Sequence, residues 1–312
     1  MKTYELRNER EKEMHSTEYN RSQVLKFLAW TFGLAYTMQA GIAFLYRNGN
    51  AGTGQILMTA LMYIPALGVL LSGSKPSGME WKRLQIRKNF KTILIAWFTP
   101  AILTVIGAAL YFLVFPGQFD LTGSYLTSVA GKEALEQIEA QGLTYSAYVL
   151  GSALACITYA PLINSVFAFG EEVGWRAFLY PQLKAKYGRQ KGLLLGGVIW
   201  GAWHWPLIWL IGYEYGMVYF GYPVVGMLLF CVFTIGIGIL CDWLYERSGN
   251  IWMPSIFHGA INAAATVPLA VCSVLSGSTR LLGPAPNGLI AGLPILAAAV
   301  LVLRFSATGP QR

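Results

Sequence analysis

The chain has 312 residues, is 55% hydrophobic and only 12% charged, and carries a formal net charge of +8. Soluble domains carry about 25% charged residues, so the composition argues against a water-soluble domain and points to lipid as the main solvent. The basic excess does not read as a nucleic-acid face, because its members cluster in alternate gaps between long apolar tracts.

In chain order, residues 1–26 mix five Glu with six Lys and Arg. They read as a solvated cytoplasmic leader and not as a cleaved signal, since the next apolar run is long enough to span. Eight uncharged tracts of at least 20 residues follow: 27–46, 48–74, 92–119, 140–170, 192–213, 215–241, 248–279 and 281–303. About 20 apolar residues in a helix cross a bilayer, and a backbone in lipid must pair internally. The expected fold is therefore all-α: one polytopic membrane helix bundle over 27–304, with about eight transmembrane helices. Placing the N-terminus in the cytoplasm puts 20 of the 23 Lys and Arg in 1–26, 75–91, 171–191, 242–250 and 304–312, and leaves only Arg47, Lys132 and Arg280 outside. The positive-inside bias then predicts both termini in the cytoplasm and contact of the basic segments with anionic membrane lipids.

Two connections are long. Residues 75–91 set Trp81, Leu84, Ile86 and Phe90 among basic residues, a pattern expected to lie along the inner leaflet. Residues 116–144 place Leu126, Val129, Leu135 and Ile138 at roughly helical spacing, which predicts a short external helix. Cys156, Cys231, Cys241 and Cys272 form no C-x-x-C pair and read as free buried thiols. The tail 305–312 reads as disordered.

Ionisable side chains inside a span cost on the order of 2.5–3.5 kcal/mol on insertion scales and are functional candidates by default. The run FGEEVGWR, Phe169–Arg176, follows the uncharged run 140–170. Glu172 and Arg176 are four apart with the acid first, the favourable order for an ion pair on one helix face. That pairing leaves Glu171 free on another face; for Glu172 and Arg176 a salt bridge at the membrane boundary is the simplest account. Gly170 and Gly174 make a small-x-x-x-small pair that lets a neighbouring helix approach. His204 stands two residues before Pro206, which disturbs the helical ladder, among tryptophans that read as interfacial anchors. His258 and Asn262 share a helix face. One carboxylate, two imidazoles and a carboxamide on three spans suit hydrolysis: Glu171 with an imidazole to activate water, and an imidazole with a carboxamide to donate to an oxyanion.

EEVGWR, then WGAWH, then HGAIN resembles the CPBP family (the CAAX proteases and bacteriocin-processing enzymes, also called Abi) over about 164–265. The resemblance implies an intramembrane endopeptidase similar to the type 2 CAAX prenyl protease. It assigns water activation to Glu171 and His204, the oxyanion to His258 and Asn262, and supporting roles to Glu172 and Arg176. The second motif commonly opens with Phe, where this chain has Trp200, a change expected to bear on pocket shape more than on chemistry. Family members are often labelled metalloproteases. There is no H-E-x-x-H; Glu171, His204 and His258 are a possible ligand set for one divalent metal such as Zn, and a metal-free glutamate mechanism is equally compatible. The implied partner is a membrane-associated, possibly prenylated, peptide, with no nucleic acid. Two other readings stand beside it: a non-catalytic membrane scaffold for peptide binding or bacteriocin immunity, and a proton-coupled transporter relaying through Glu171 and the histidines, for which no inverted repeat is apparent.

Overall fold

The computed structural model describes residues 18–74, 83–274 and 277–306. Most of the expected leader, the Trp81 half of the predicted amphipathic segment and nearly all of the tail lie outside the described residues. Every regular element among the described residues is helical, apart from one isolated bridge between Phe119 and Cys272.

The elements that carry the argument are α1 (Arg21–Arg47), α2 (Ala51–Leu61), α3 (Ile64–Leu71), α4 (Ile86–Val114), α5 (Tyr145–Ile157), α6 (Ala160–Gly174), α7 (Tyr180–Tyr187), α8 (Arg189–Trp203), α9 (Trp205–Ile211), α10 (Val224–Ser248), α11 (Trp252–Ala264) and α12 (Leu293–Ser306). Between α6 and α7 lies one π turn, Trp175–Leu179, so the chain stays helical from Ala160 to Tyr187.

Four helical stretches are long and apolar enough to cross a membrane: α1, α4, α8 continued through α9 to Ile211, and α10. Two bent pairs bring the number to six, α2 with α3 (46°) and α5 with Ala160–Tyr187 (56°). The structure thus supports a multi-pass bundle of four to six spans where the charge map gave eight tracts. The difference lies in helix breaks. Pro65 begins α3 and Pro161 begins α6, each in the first turn, where a proline starts a helix but cannot continue the preceding one. Tract 248–279 holds only the 13-residue α11 and the short helix Thr266–Ala270, and tract 281–303 becomes regular only at Leu293.

The predicted external helix is two short ones, Ser124–Ala130 and Lys132–Ala140, divided at Gly131 with φ of 84°. Leu126 and Leu135 pack with Ile138 against Tyr145, Val149 and Val271, while Val129 is exposed. Ile86 and Phe90, expected on the leaflet surface, belong to the first turns of α4 and are exposed. The four cysteines are free and buried, as expected. Along α4 the large apolar side chains Ile102, Val105 and Leu113 are exposed, an apolar belt suited to lipid.

The core lies where α6, the π turn and α7 meet α8, α10 and α11. Close approach depends on missing Cβ atoms. One on Gly170 would stand 2.7 Å from the Met62 carbonyl oxygen, one on Gly174 would overlap Pro65, and one on Gly259 would stand 2.5 Å from the Ser165 nitrogen. The Gly170 and Gly174 pair therefore seats the α2–α3 break, the close approach its spacing predicted. At the end of α7, Lys184 bonds both Asp242 carboxylate oxygens at 2.8 Å and Glu246 at 2.7 Å, and Arg189 reaches Glu246 at 3.4 Å. Asp242 is fully buried, and the Arg189–Glu246 pair is about 30% exposed. Lys184→Met leaves Asp242 as an uncompensated buried charge and is expected to cost about 3–5 kcal/mol. Arg189→Met breaks a water-screened pair and should cost under about 1 kcal/mol. Thermal unfolding of the two variants in detergent checks the contrast.

Candidate active site

Gly170 to Tyr180 are all buried. The segment 171–191, expected in the cytoplasm, therefore begins deep inside the bundle. Glu172 and Arg176 do pair, Nη1 to Oε1 at 3.1 Å, but both side chains are 0% exposed. This corrects the boundary salt bridge read from the sequence: the pair is part of the core, because α8, α10 and α11 close over the face that carries it.

A buried arginine needs more than one anion. Its guanidinium carbon lies 4.2 Å from the centre of the Trp200 ring and 4.8 Å from that of Tyr180. These faces stand where hydrogen-bond acceptors would otherwise be needed, since Nε and Nη2 of Arg176 have no such partner among the described residues; cation–π contacts of this kind are strongest when desolvated. The same Glu172 Oε1 accepts from His258 Nδ1 at 2.8 Å. Glu172 thus links an arginine on its own helix to a histidine on α11.

Glu171 is not unpartnered, as the sequence suggested. Its Oε2 accepts from the indole Nε1 of Trp175 at 3.1 Å and of Trp200 at 2.7 Å, whereas Oε1 accepts no hydrogen bond from the described residues. One oxygen is held by two donors and the other by none among the described residues. Adjacent residues on a helix point about 100° apart, so the two carboxylates divide the surroundings between them. Each takes the donor four residues on, Trp175 or Arg176, and each reaches one other helix.

His204 ends α8. Its own N–H bonds the Gly201 carbonyl at 3.0 Å, a tighter turn than the α ladder. The Trp200 carbonyl is thereby released and lies 3.0 Å from His204 Nδ1. A carbonyl only accepts, so Nδ1 carries the proton and Nε2 presents its lone pair. The ring is wedged between Trp203 (4.7 Å), Phe230 (4.8 Å) and Tyr213, which stacks on it at 6.3 Å and 7°.

Trp200 is the hub. Its indole N–H holds Glu171, its carbonyl holds His204, its ring face covers Arg176, and its edge meets the His258 ring at 5.2 Å and 70°. His204 is also within electrostatic reach of both Glu171 and His258. Three of the four predicted site residues therefore gather around one residue. Asn262, one turn beyond His258, is exposed and shares no bond with it, so the expected His258–Asn262 donor pair is not closed. Among the described residues no three His, Cys, Asp or Glu side chains form a group that could hold an ion. Trp200 and Trp203, expected as interfacial anchors, are each 1% exposed. At position 200 the Phe-to-Trp change brings an indole N–H that Glu171 accepts, a bond phenylalanine has no donor to make. Sequence reasoning missed Trp175 and Trp200 as donors to Glu171; the spacing of four to Trp175 was legible, whereas Trp200 reaches Glu171 from another helix.

The model of the family described as "Type II CAAX prenyl endopeptidase Rce1-like" matches residues 146–264. That stretch contains every side chain named in this cluster, from Glu171 to His258. Residues 146–264 of this chain are similar to that family. A CAAX prenyl protease 2 from Methanococcus maripaludis is 24% identical over 248 residues, which is 79% of this chain and 84% of the relative. The Rce1-like match supports an intramembrane protease in a multi-pass membrane protein.

The buried triad of Arg176, Glu172 and His258 yields a stability test. Glu172→Leu strands the arginine and is expected to cost about 3–5 kcal/mol. The double variant Glu172→Leu with Arg176→Met removes both charges and should recover most of that loss. Thermal unfolding in detergent reads both.

Proposed function

We propose that this protein is an intramembrane endopeptidase in which Glu171 and His204 activate a water molecule against a peptide bond of a membrane-associated or lipidated peptide. The observation that carries the proposal is the grouping of Glu171, His204 and His258 around Trp200. Glu171 Oε2 is fixed by two indoles, so Oε1 can take a proton from water without the carboxylate turning away. His204 Nε2, the unprotonated nitrogen, is a second acceptor for the same water.

As the water oxygen bonds the scissile carbonyl carbon, negative charge moves to the carbonyl oxygen. His258 and Asn262 are the proposed donors to it. The bond from its Nδ1 to Glu172 fixes the orientation of the His258 ring, and donation from Nε2 requires the doubly protonated imidazole. Arg176 holds Glu172 in place from the other side. Collapse of the tetrahedral species passes the proton taken by Glu171 to the leaving amine.

The name of the archaeal relative, CAAX prenyl protease 2, recommends a prenylated C-terminal peptide as the first substrate to try. A multi-pass location with cytoplasmic termini is proposed from the charge asymmetry of the sequence.

The test uses purified full-length chain and a farnesylated CAAX peptide. Glu171→Gln and His204→Ala should each lower kcat by about 10²–10⁴-fold with the fold intact, the range for a lost general base. Asn262→Ala should lower it by about 10²-fold, the loss of one oxyanion donor. Turnover at the wild-type rate in Glu171→Gln sinks the assignment; an unchanged cellular phenotype in that variant favours the scaffold reading. Trp200→Phe keeps the ring and deletes the N–H that Glu171 accepts, and is expected to reduce kcat by about tenfold, the worth of one hydrogen bond to a charged group.

A further inference from the structure

His204 occupies a break in its helix, and a break strands backbone groups. Pro206 has no N–H, so the Ala202 carbonyl loses the donor it would meet in an unbroken helix. The Leu207 N–H turns to the His204 carbonyl at 3.1 Å, which removes the regular donor of the Trp203 carbonyl. Inside a bilayer such groups must be satisfied by neighbouring protein.

Both are satisfied from α1. The Tyr36 hydroxyl donates to the Ala202 carbonyl at 2.9 Å. Gln39 Nε2 donates to the Trp203 carbonyl at 2.7 Å, and Gln39 Oε1 accepts from the Leu207 N–H at 3.3 Å. Gln39 is 0% exposed, and it stands three residues after Tyr36, on the same helix face. A single buried amide therefore ties the last residue of α8 to the first turn of α9, with His204 between the two anchors. Trp203, whose carbonyl Gln39 holds, also packs its ring against His204 at 4.7 Å. Both α1 residues lie outside the stretch 146–264 that matches the family.

We propose that Gln39, assisted by Tyr36, is a positioning residue for His204. It fixes the break in the one shape that releases the Trp200 carbonyl to His204 Nδ1 and keeps Nε2 as the acceptor. Only a side chain with both a donor and an acceptor can close the two sides at once. A packing role alone would be filled by any apolar residue of similar volume. The inference rests on the catalytic reading of His204 only for its effect on rate; its effect on the imidazole stands apart from it.

The experiment compares Gln39→Met, which keeps volume and loses both bonds, with Tyr36→Phe, which loses one hydroxyl, in the full-length chain. The first readout is nitrogen-15 histidine NMR in detergent micelles, where the chain's three histidines are assigned by substituting each in turn. Wild type should show His204 in the Nδ1–H form. Gln39→Met should shift or broaden that signal while leaving His15 and His258 unchanged, and Tyr36→Phe should do so to a smaller degree. The second readout is kinetics on the farnesylated CAAX peptide. Gln39→Met should lower kcat by up to about 10²-fold, the scale of a 1 Å misplacement, with KM changed less than about twofold, as expected when an interaction made only in the transition state is lost. If Gln39→Met does not fold, Tyr36→Phe with Gln39→Glu, which keeps the acceptor and loses the donor, carries the same comparison. An unchanged His204 signal in the folded variants overturns the inference. A wild-type chain that cleaves no peptide overturns the proposed function instead, and the imidazole signal still decides the role of Gln39.

Discussion

Two carboxylates on successive residues of a buried helix must each find donors where water does not supply them. Most of the site's architecture follows from that constraint. Glu172 is fully buried and Glu171 is 3% exposed. Their side chains diverge around the helix, so no single partner can serve both. Glu172 is neutralised by Arg176 and bonded by His258; Glu171 is held by two neutral indoles. A charged donor is thus spent on the carboxylate that binds an imidazole, and the carboxylate proposed as base is oriented without direct contact to a cation.

The helix that bears them is shaped for this. Trp175 and Arg176 open the π turn, a local widening often found at functional sites. Gly170 and Gly174 let the α2–α3 break sit against the helix, and Gly259 brings α11 close enough for His258 to reach Glu172. These contacts cost side-chain volume and are returned as fixed geometry. The stretch similar to the Rce1-like family holds the clustered polar side chains, while the first span closes the backbone around His204. The division explains how a core motif can be read from a short segment although its geometry needs the rest of the bundle.

Periodicity and motif spacing reach only some of this. The Glu172–Arg176 pair, the release of Glu171 to a different face, the glycine close approach and the break at Pro206 all follow from local rules of helix geometry, and all four are present in the structure. Burial of the ion pair does not follow, because the charge map sees three charges after an apolar run and cannot tell a membrane boundary from a polar core. The charge map does not fix the count of spans, for a related reason. An uncharged tract of 32 residues satisfies the length rule whether it is one straight helix or, as in 248–279, a 13-residue helix with a short continuation.

The sequence by itself determined that this is a helical membrane protein, which side chains are costly enough in lipid to need a purpose, and which i+4 partners they can meet on their own helix. Those properties depend on composition and on the fixed pitch of the α-helix. Only the tertiary structure decided that Trp200 gathers Glu171, His204, Arg176 and His258, that His258 answers to Glu172 and not to Asn262, and that Gln39, 165 residues before His204 in the sequence, closes the break in its helix. Those contacts join different helices, and how helices pack against one another is set by the complementarity of whole surfaces, which no local spacing encodes.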